Sequence, residues 1–178
     1  MEKLRITSGK YRGRSIKSPP SAATHPMGSR EKIALFNMIS DFLPGAVVLD
    51  AFAGSGALGI EALSRGADRV VFVEKDPRAA KIIRDNLNEL GIASIGEVHT
   101  CSVTKFTPKE DFDIIIADPP YDRFEISDIG SLAGLVKKPG VFVLSHPGEP
   151  PIIAGLSLLQ TRKYARARIS IYRNIAFL

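Results

Sequence analysis

Hydrophobic positions along the chain alternate between two periods. Near-continuous apolar runs at Val47-Val48-Leu49, Val70-Val71-Phe72-Val73 and Ile114-Ile115-Ile116-Ala117 suit strands buried on both faces. In chain order the pattern predicts a strand over 46–50, a helix over 57–65, a strand over 69–74 and a helix over 77–90. Strands over 95–100 and 112–117 follow, then a helix over 125–137 and a strand over 140–145. Gly66 and Gly91 end the first two helices, and Asp76-Pro77 supplies a cap and a first-turn proline to the second. The stretches 156–163 and 166–174 read as two strands with a turn near Tyr164. The expected fold class is therefore α/β, with a Rossmann-like, seven-stranded, mostly parallel sheet and an antiparallel C-terminal edge hairpin.

The first residues break this rhythm. Residues 4–18 alternate in places and carry Gly9 and Gly13, which suggests a short β-hairpin ended by Pro19-Pro20. After a linker, Ser29 is placed to cap a helix running to about Phe42, with Ile33, Leu35, Phe36 and Ile39 on its buried face. Two parts result: an N-terminal β-extension with its linker over 1–27, and the main domain over 28–178.

Composition narrows the class. A chain of 178 residues with 44% hydrophobic content fits one domain with a sizeable core. No apolar run approaches a membrane span, and Lys3, Arg5, Lys10, Arg12 and Arg14 interrupt any signal-peptide core. The single cysteine, Cys101, excludes an internal disulfide framework and a cysteine-rich zinc site; no metal is expected, and the expected location is cytoplasmic. The net charge of +5 is concentrated at the ends. Six basic residues lie within the first 17 against one acid, Glu2, and the last 17 add five with no acid. Such ends suit a polyanionic partner, with a merely solvated basic surface as the alternative.

Candidate chemistry begins where the first apolar strand stops. Asp50 is followed by Gly54, Gly56 and Gly59, a strand, glycine turn and helix sequence that lets backbone approach a nucleotide. The spacing is literally the dinucleotide fingerprint. An acid four residues before the first glycine would repel a pyrophosphate, however, and would attract a cationic ligand. Glu74 stands 20 residues beyond Gly54 at the end of the next strand, where a carboxylate can accept both hydroxyls of an adenosine ribose. These features favour S-adenosylmethionine over a nicotinamide cofactor, with Asp50, Phe52, Gly54, Gly56, Glu74, Lys75, Ser102 and Asp118 as the candidate cofactor set. Asp118-Pro119-Pro120-Tyr121 closes a later strand. Its prolines fix two φ angles and leave carbonyls as acceptors. A carboxylate, a proline carbonyl and an aromatic plane suit a planar ring bearing an amino group, which makes these four the candidate catalytic residues.

These motifs resemble those of the class I methyltransferases, and specifically of the RsmD family of bacterial 16S rRNA guanine-N2 methyltransferases. The resemblance rests on residues 4–14 (Leu-Arg-Ile-Thr-Ser-Gly-Lys-Tyr-Arg-Gly-Arg), 34–37 (Ala-Leu-Phe-Asn), 49–62 and 118–121, and it covers nearly the whole chain. It implies methylation of the exocyclic N2 of a guanine in small-subunit rRNA, within the RNA or the assembling subunit; a monomer with no membrane association is expected. It also implies that Ser102, after the strand at 95–100, lies near the adenine amine. Departures exist: Thr24-His25-Pro26-Met27 replaces a usual Arg-Pro-Thr segment, and Ser29 and Ile33 replace usual acids. The alternatives are a methyltransferase of adenine or cytosine amines in DNA or another RNA, and a non-catalytic RNA-binding assembly factor.

Lys10, Arg12 and Arg14 alternate, which would align them on one strand face to track phosphates, with Arg30 and Lys32 on the neighbouring helix. A charge-protected edge strand is the alternative. Tyr11 reads as core, Asn37 as either a buried backbone partner or a cofactor neighbour, His25 as a linker residue with RNA or cofactor contact as the alternative, and Phe124 as a candidate wall of the base pocket.

Overall fold

The computed structural model describes residues 2–20, 27–123, 126–164 and 167–174. Seven strands form one sheet in the order β5-β4-β3-β6-β7-β9-β8. Its parallel members are β3 (Val47–Asp50), β4 (Arg69–Glu74), β5 (Gly96–Thr100), β6 (Phe112–Ala117) and β7 (Val136–His146). The edge pair β8 (Ser157–Lys163) and β9 (Arg168–Asn174) is antiparallel. β1 (Glu2–Arg5) and β2 (Ser15–Ser18) form a separate antiparallel hairpin.

Alternation along the strands splits the core into two layers. Val48, Val70, Phe72, Ile114, Ile116, Val141 and Val143 face α1 (Ser29–Met38), α2 (Ala57–Ser64), α3 (Pro77–Leu90) and the N-terminal hairpin. Leu49, Val71, Val73, Ile115, Phe142 and Leu144 face α4 (Ile126–Ala133) and the chain before β6.

Local chemistry sets the element ends. α3 keeps its expected limits because Asp76 accepts from the Arg78 amide at 2.8 Å, Pro77 opens the first turn, and Gly91 closes it at φ 72°. At Gly59 a Cβ would stand 2.2 Å from the Phe72 ring, so only glycine lets α2 lie this close to β4.

Four expectations are corrected. α1 ends at Met38, followed by a separate 3₁₀ turn at Ser40–Phe42, and Gly28 rather than Ser29 is its cap. Ile33 is 40% exposed, whereas Leu35, Phe36 and Ile39 are fully buried. The helix expected over 125–137 stops at Ala133, and β7 begins at Val136, pairing with Phe112 before a register shift. Lys137 belongs to that strand: its Nζ meets Asp113 Oδ2 at 3.0 Å, and the same oxygen accepts from the Val47 amide at 2.8 Å.

The hairpin docks on α2 through one buried side chain. The Glu61 carboxylate, 0% exposed, accepts from the Thr7 amide at 2.9 Å, the Thr7 hydroxyl at 2.6 Å, the Ser8 amide at 3.0 Å and Arg65 Nε at 2.9 Å. Lys32 Nζ adds an ion pair at 3.3 Å. Burial alone would raise the Glu61 carboxyl; the Thr7 donors, Arg65 and Lys32 outweigh it and hold the pKa below its ordinary 4.5. One turn later, Ser64 accepts the Lys10 amide on its carbonyl at 2.7 Å and the Tyr11 amide on its hydroxyl at 2.9 Å. Gly9 sits at φ 79°, and a Cβ there would fall 1.7 Å from the Ser64 carbonyl oxygen.

Glu61→Ala is expected to destabilise the fold by about 3–5 kcal/mol, because it strands a buried lysine and two amides at once. Denaturant unfolding measures it. The contribution should be present above pH 4.5 and fade as pH falls through the lowered pKa.

Candidate active site

β3 pairs with β4 on one side and β6 on the other, so the direction of strand addition reverses between β3 and β6. Open α/β sheets bind ligands at the carboxyl ends of the strands at such a reversal. Asp50 ends β3 there, and Asp118 follows directly on β6. Glu74 ends the adjacent β4, and Ser102 lies just past β5. The sheet thus brings residues far apart in sequence to one edge.

The loop after β3 is bound to both neighbours. The Ala51 amide donates to the Ile116 carbonyl at 2.9 Å and the Ala53 amide to the Val73 carbonyl at 3.0 Å. Gly54 at φ 54° and Gly56 at φ 77° turn the chain into α2, in backbone regions that disfavour side chains. Glu74 fixes this turn from outside: one carboxylate oxygen accepts the Gly54 amide at 2.7 Å and the other the Asp76 amide at 2.8 Å. Each oxygen retains a further lone pair for a ligand hydroxyl.

Asp50 is 1% exposed and accepts the Gly59 amide at 2.9 Å. Burial pushes its carboxyl up to about 7; the Asp118 and Glu74 carboxylates add to the rise, and the Gly59 amide opposes it. Asp118 is half-buried, and loss of solvent raises its carboxyl to about 6, against a lowering by the Ser145 hydroxyl as hydrogen-bond partner. Three carboxylates around one crevice, whose partners among the described residues are amides, a hydroxyl and one another, make an environment complementary to a cation. This set of acceptors therefore fits S-adenosylmethionine, which carries a sulfonium and a ribose diol, better than a pyrophosphate.

In the candidate catalytic tetrapeptide, Pro119 is buried and Pro120 exposed. Tyr121 is 38% exposed at its start of a 3₁₀ turn, and its hydroxyl lies 2.5 Å from Ser145 Oγ. Phe52 is half-buried against the α4-side core. Lys75 is exposed beside Glu74. Ser102 Oγ engages Thr104 Oγ1 at 2.8 Å. His25 and Phe124 lie outside the described residues.

The basic candidates divide. Residues 8–13 form turns rather than a strand, so Lys10, Arg12 and Arg14 do not share a strand face. Lys10 and Arg12 are exposed on the turn, with Lys10 Nζ 5.5 Å above the Tyr11 ring, which itself packs on the core. Arg14 instead donates to the Glu89 and Leu90 carbonyls at 2.9 and 3.4 Å, at the negative end of α3. Arg30 is exposed, but Lys32 is only 5% exposed and is consumed by Glu61 and the Arg5 carbonyl at 2.9 Å. A buried lysine cannot reach a phosphate, so it is withdrawn as an RNA contact. Asn37 is exposed on α1.

Sequence reasoning missed Ser145. The register Ala117↔Leu144 sets it abreast of Asp118, a relation that the sequence alone does not carry.

A family model described as "Conserved hypothetical protein 95" matches residues 4–173. YlbH of Bacillus subtilis strain 168, named as an rRNA methyltransferase, is 30% identical over an alignment of 181 positions that spans 96% of this chain and 98% of that protein. The ribosomal RNA small subunit methyltransferase D of Haemophilus influenzae is 38% identical over 123 residues, covering 66% of this chain and 64% of that protein. The solved structure of yhhF from Escherichia coli, named as a methyltransferase, superposes with a TM-score of 0.87 at 28% identity, over 99% of this chain and 100% of that one. With a match that runs almost from end to end, the chain belongs to this family, the RsmD family.

Proposed function

We propose that the chain transfers a methyl group from S-adenosylmethionine to the exocyclic N2 of a guanine in small-subunit rRNA. The observation that carries this reading is the convergence of Asp50, Glu74 and Asp118 on the sheet reversal, beside a proline-fixed loop that ends in a tethered tyrosine. The names of the relatives direct the chemistry to rRNA. An Asp118 and Pro119 acceptor pair takes any planar exocyclic amine, and the resemblance to guanine-N2 enzymes directs it to N2.

In this reading Glu74 accepts the ribose diol while holding the Gly54 turn. Asp50, too buried for broad contact, acts on the cofactor through its charge and through the Gly59 amide. Phe52, Lys75 and Ser102 flank the adenosine. S-adenosylmethionine, when bound, supplies an electrophilic methyl group on its sulfonium. Asp118 and the Pro119 carbonyl accept the two amine hydrogens and turn the nitrogen lone pair out of conjugation, and the Tyr121 ring supports the base. The nitrogen gains a methyl and sheds one proton, with Asp118 as the nearest acceptor. Most of the rate then comes from position and charge. The base must leave its stack to arrive, which favours an unpaired guanine. Lys10, Arg12 and Arg30 hold the RNA backbone.

Glu74→Ala should weaken S-adenosylmethionine binding by about 2–3 kcal/mol in calorimetry. Because a cation favours the ionised form of Asp50, parental affinity should fall as pH drops below about 7. Binding at lower pH should also release a proton, which paired buffers of different ionisation enthalpy would detect. Tighter binding of NAD than of S-adenosylmethionine would overturn the assignment.

Asp118→Ala should lower single-turnover methylation at saturating cofactor by roughly 10²–10³, the scale of one preorganised electrostatic partner. The parental rate should decline below pH about 6, where the carboxylate takes up its proton and ceases to accept. A rate within a few-fold of the parent would reduce the loop to a rigid turn.

Replacing Lys10 and Arg12 together by Ala should flatten the logarithmic salt dependence of rRNA binding by roughly one unit per lost phosphate contact. Cofactor affinity should stay as it was. An unchanged slope would return that turn to ordinary solvated surface.

A further inference from the structure

Ser145 is the penultimate residue of β7 and is 1% exposed. Its place is set by backbone geometry. β6 and β7 run parallel with Ala117 opposite Leu144, so the next residues outward, Asp118 and Ser145, stand side by side at the crevice. Strand alternation turns Ser145 away from Leu144 and the α4 layer, towards the face where α1 begins and Tyr121 lies. Its oxygen is 2.5 Å from the Tyr121 hydroxyl.

A serine hydroxyl has one hydrogen and two lone pairs. An ionised Asp118 can only accept, so the Ser145 hydrogen serves the carboxylate. The Tyr121 hydroxyl must then donate to Ser145. The result is a directed chain, from Tyr121 to Ser145 to Asp118, that spans both ends of the tetrapeptide.

We infer that Ser145 is the positioning residue of the catalytic loop, orienting the Asp118 carboxylate towards the target amine and tethering the Tyr121 ring at the angle the base stacks on. The inference rests on the proposed role of Asp118 and Tyr121. It gives the tyrosine hydroxyl a function distinct from that of its ring, since a phenylalanine would stack equally well but could not be tethered. Two prolines stiffen the middle of the loop, and the hydroxyl chain fixes its two functional ends. Burial raises the Asp118 carboxyl and the Ser145 hydroxyl pulls it back, so the serine also keeps more of the carboxylate ionised near neutral pH.

The test is single-turnover methylation of small-subunit rRNA across pH 5–8 at saturating S-adenosylmethionine, with cofactor affinity measured alongside. Ser145→Ala should lower the rate at pH 8 roughly tenfold, as one hydrogen bond to a charged group is lost. It should also move the acid limb above the parental midpoint, with cofactor affinity intact. Ser145→Thr, which retains the hydroxyl, should keep the parental midpoint. Tyr121→Phe, a change at an accessible ring, should move the limb the same way by less, and should add little in the Ser145→Ala background because both break one chain. A Ser145→Ala enzyme within twofold of the parent at an unchanged midpoint, while Asp118→Ala is inactive, would overturn the inference alone. Fully additive effects of the two changes would do the same. An active Asp118→Ala enzyme would instead overturn the catalytic reading on which the inference rests.

Discussion

Parallel pairing of β3 with β6 decides where the candidate cofactor and catalytic groups can be. The chain crosses outward from β3 through α2 to β4 and β5, and later returns to lay β6 on β3's other side. The two sets of crossings diverge at that seam. Asp50, ending one strand, and Asp118, following the other, are consequently neighbours although 68 residues separate them (118 minus 50). The next strands outward extend the same edge on either side, with Glu74 beyond Asp50 and Ser145 beyond Asp118. A single topological reversal thus assembles the proposed cofactor residues and the proposed substrate residues on one edge.

Two buried carboxylates show opposite uses of the same cost. Glu61 is surrounded by donors on every side and titrates below its ordinary value, so its charge supports the fold above that pH. Asp50 has one amide donor and two acidic neighbours, and titrates near 7. An acid with a raised folded pKa binds its proton better folded than unfolded. The fold is therefore favoured below the ordinary value of 3.8 and loses that advantage as pH rises towards about 7. At neutral pH the site holds negative charge that the protein alone does not neutralise. Stability is given up where a cationic ligand can recover it, as functional sites commonly do.

The parts legible in the sequence were those set by local rules. α3 was readable to the residue because cap, proline and glycine all lie within its own segment. The glycine turn, Glu74 and the Asp118 loop were readable because strand ends and special backbone angles leave composition traces. Tertiary choices were not. Lys32 looked like a free cation until Glu61 arrived from another helix to bury it. Arg14 was spaced for a strand face, but Gly9 and Gly13 curl that segment into turns and leave its guanidinium on the end of α3. Lys137 and Lys138 have helical propensity, yet pairing of Val136 with Phe112 draws them into β7. Ser145 was invisible for a simpler reason: a lone serine after an apolar run has meaning only once its register against β6 is known.

α2 connects the two halves of the proposed work. Its first turn follows Gly56 and presents the Gly59 amide to Asp50, while its later residues Glu61 and Ser64 grip the hairpin. The helix is only eight residues long, about 12 Å at 1.5 Å per residue. Over that length there is no proline or bulge to bend it, and Gly59 presses its middle onto Phe72. The turn that carries Lys10 and Arg12 is therefore fixed relative to the cofactor loop by one rigid element rather than by a linker. In the proposed reading a polyanion engaged by that turn would be held at a set distance and angle from the crevice, so that phosphate contacts without sequence information would still position a particular base.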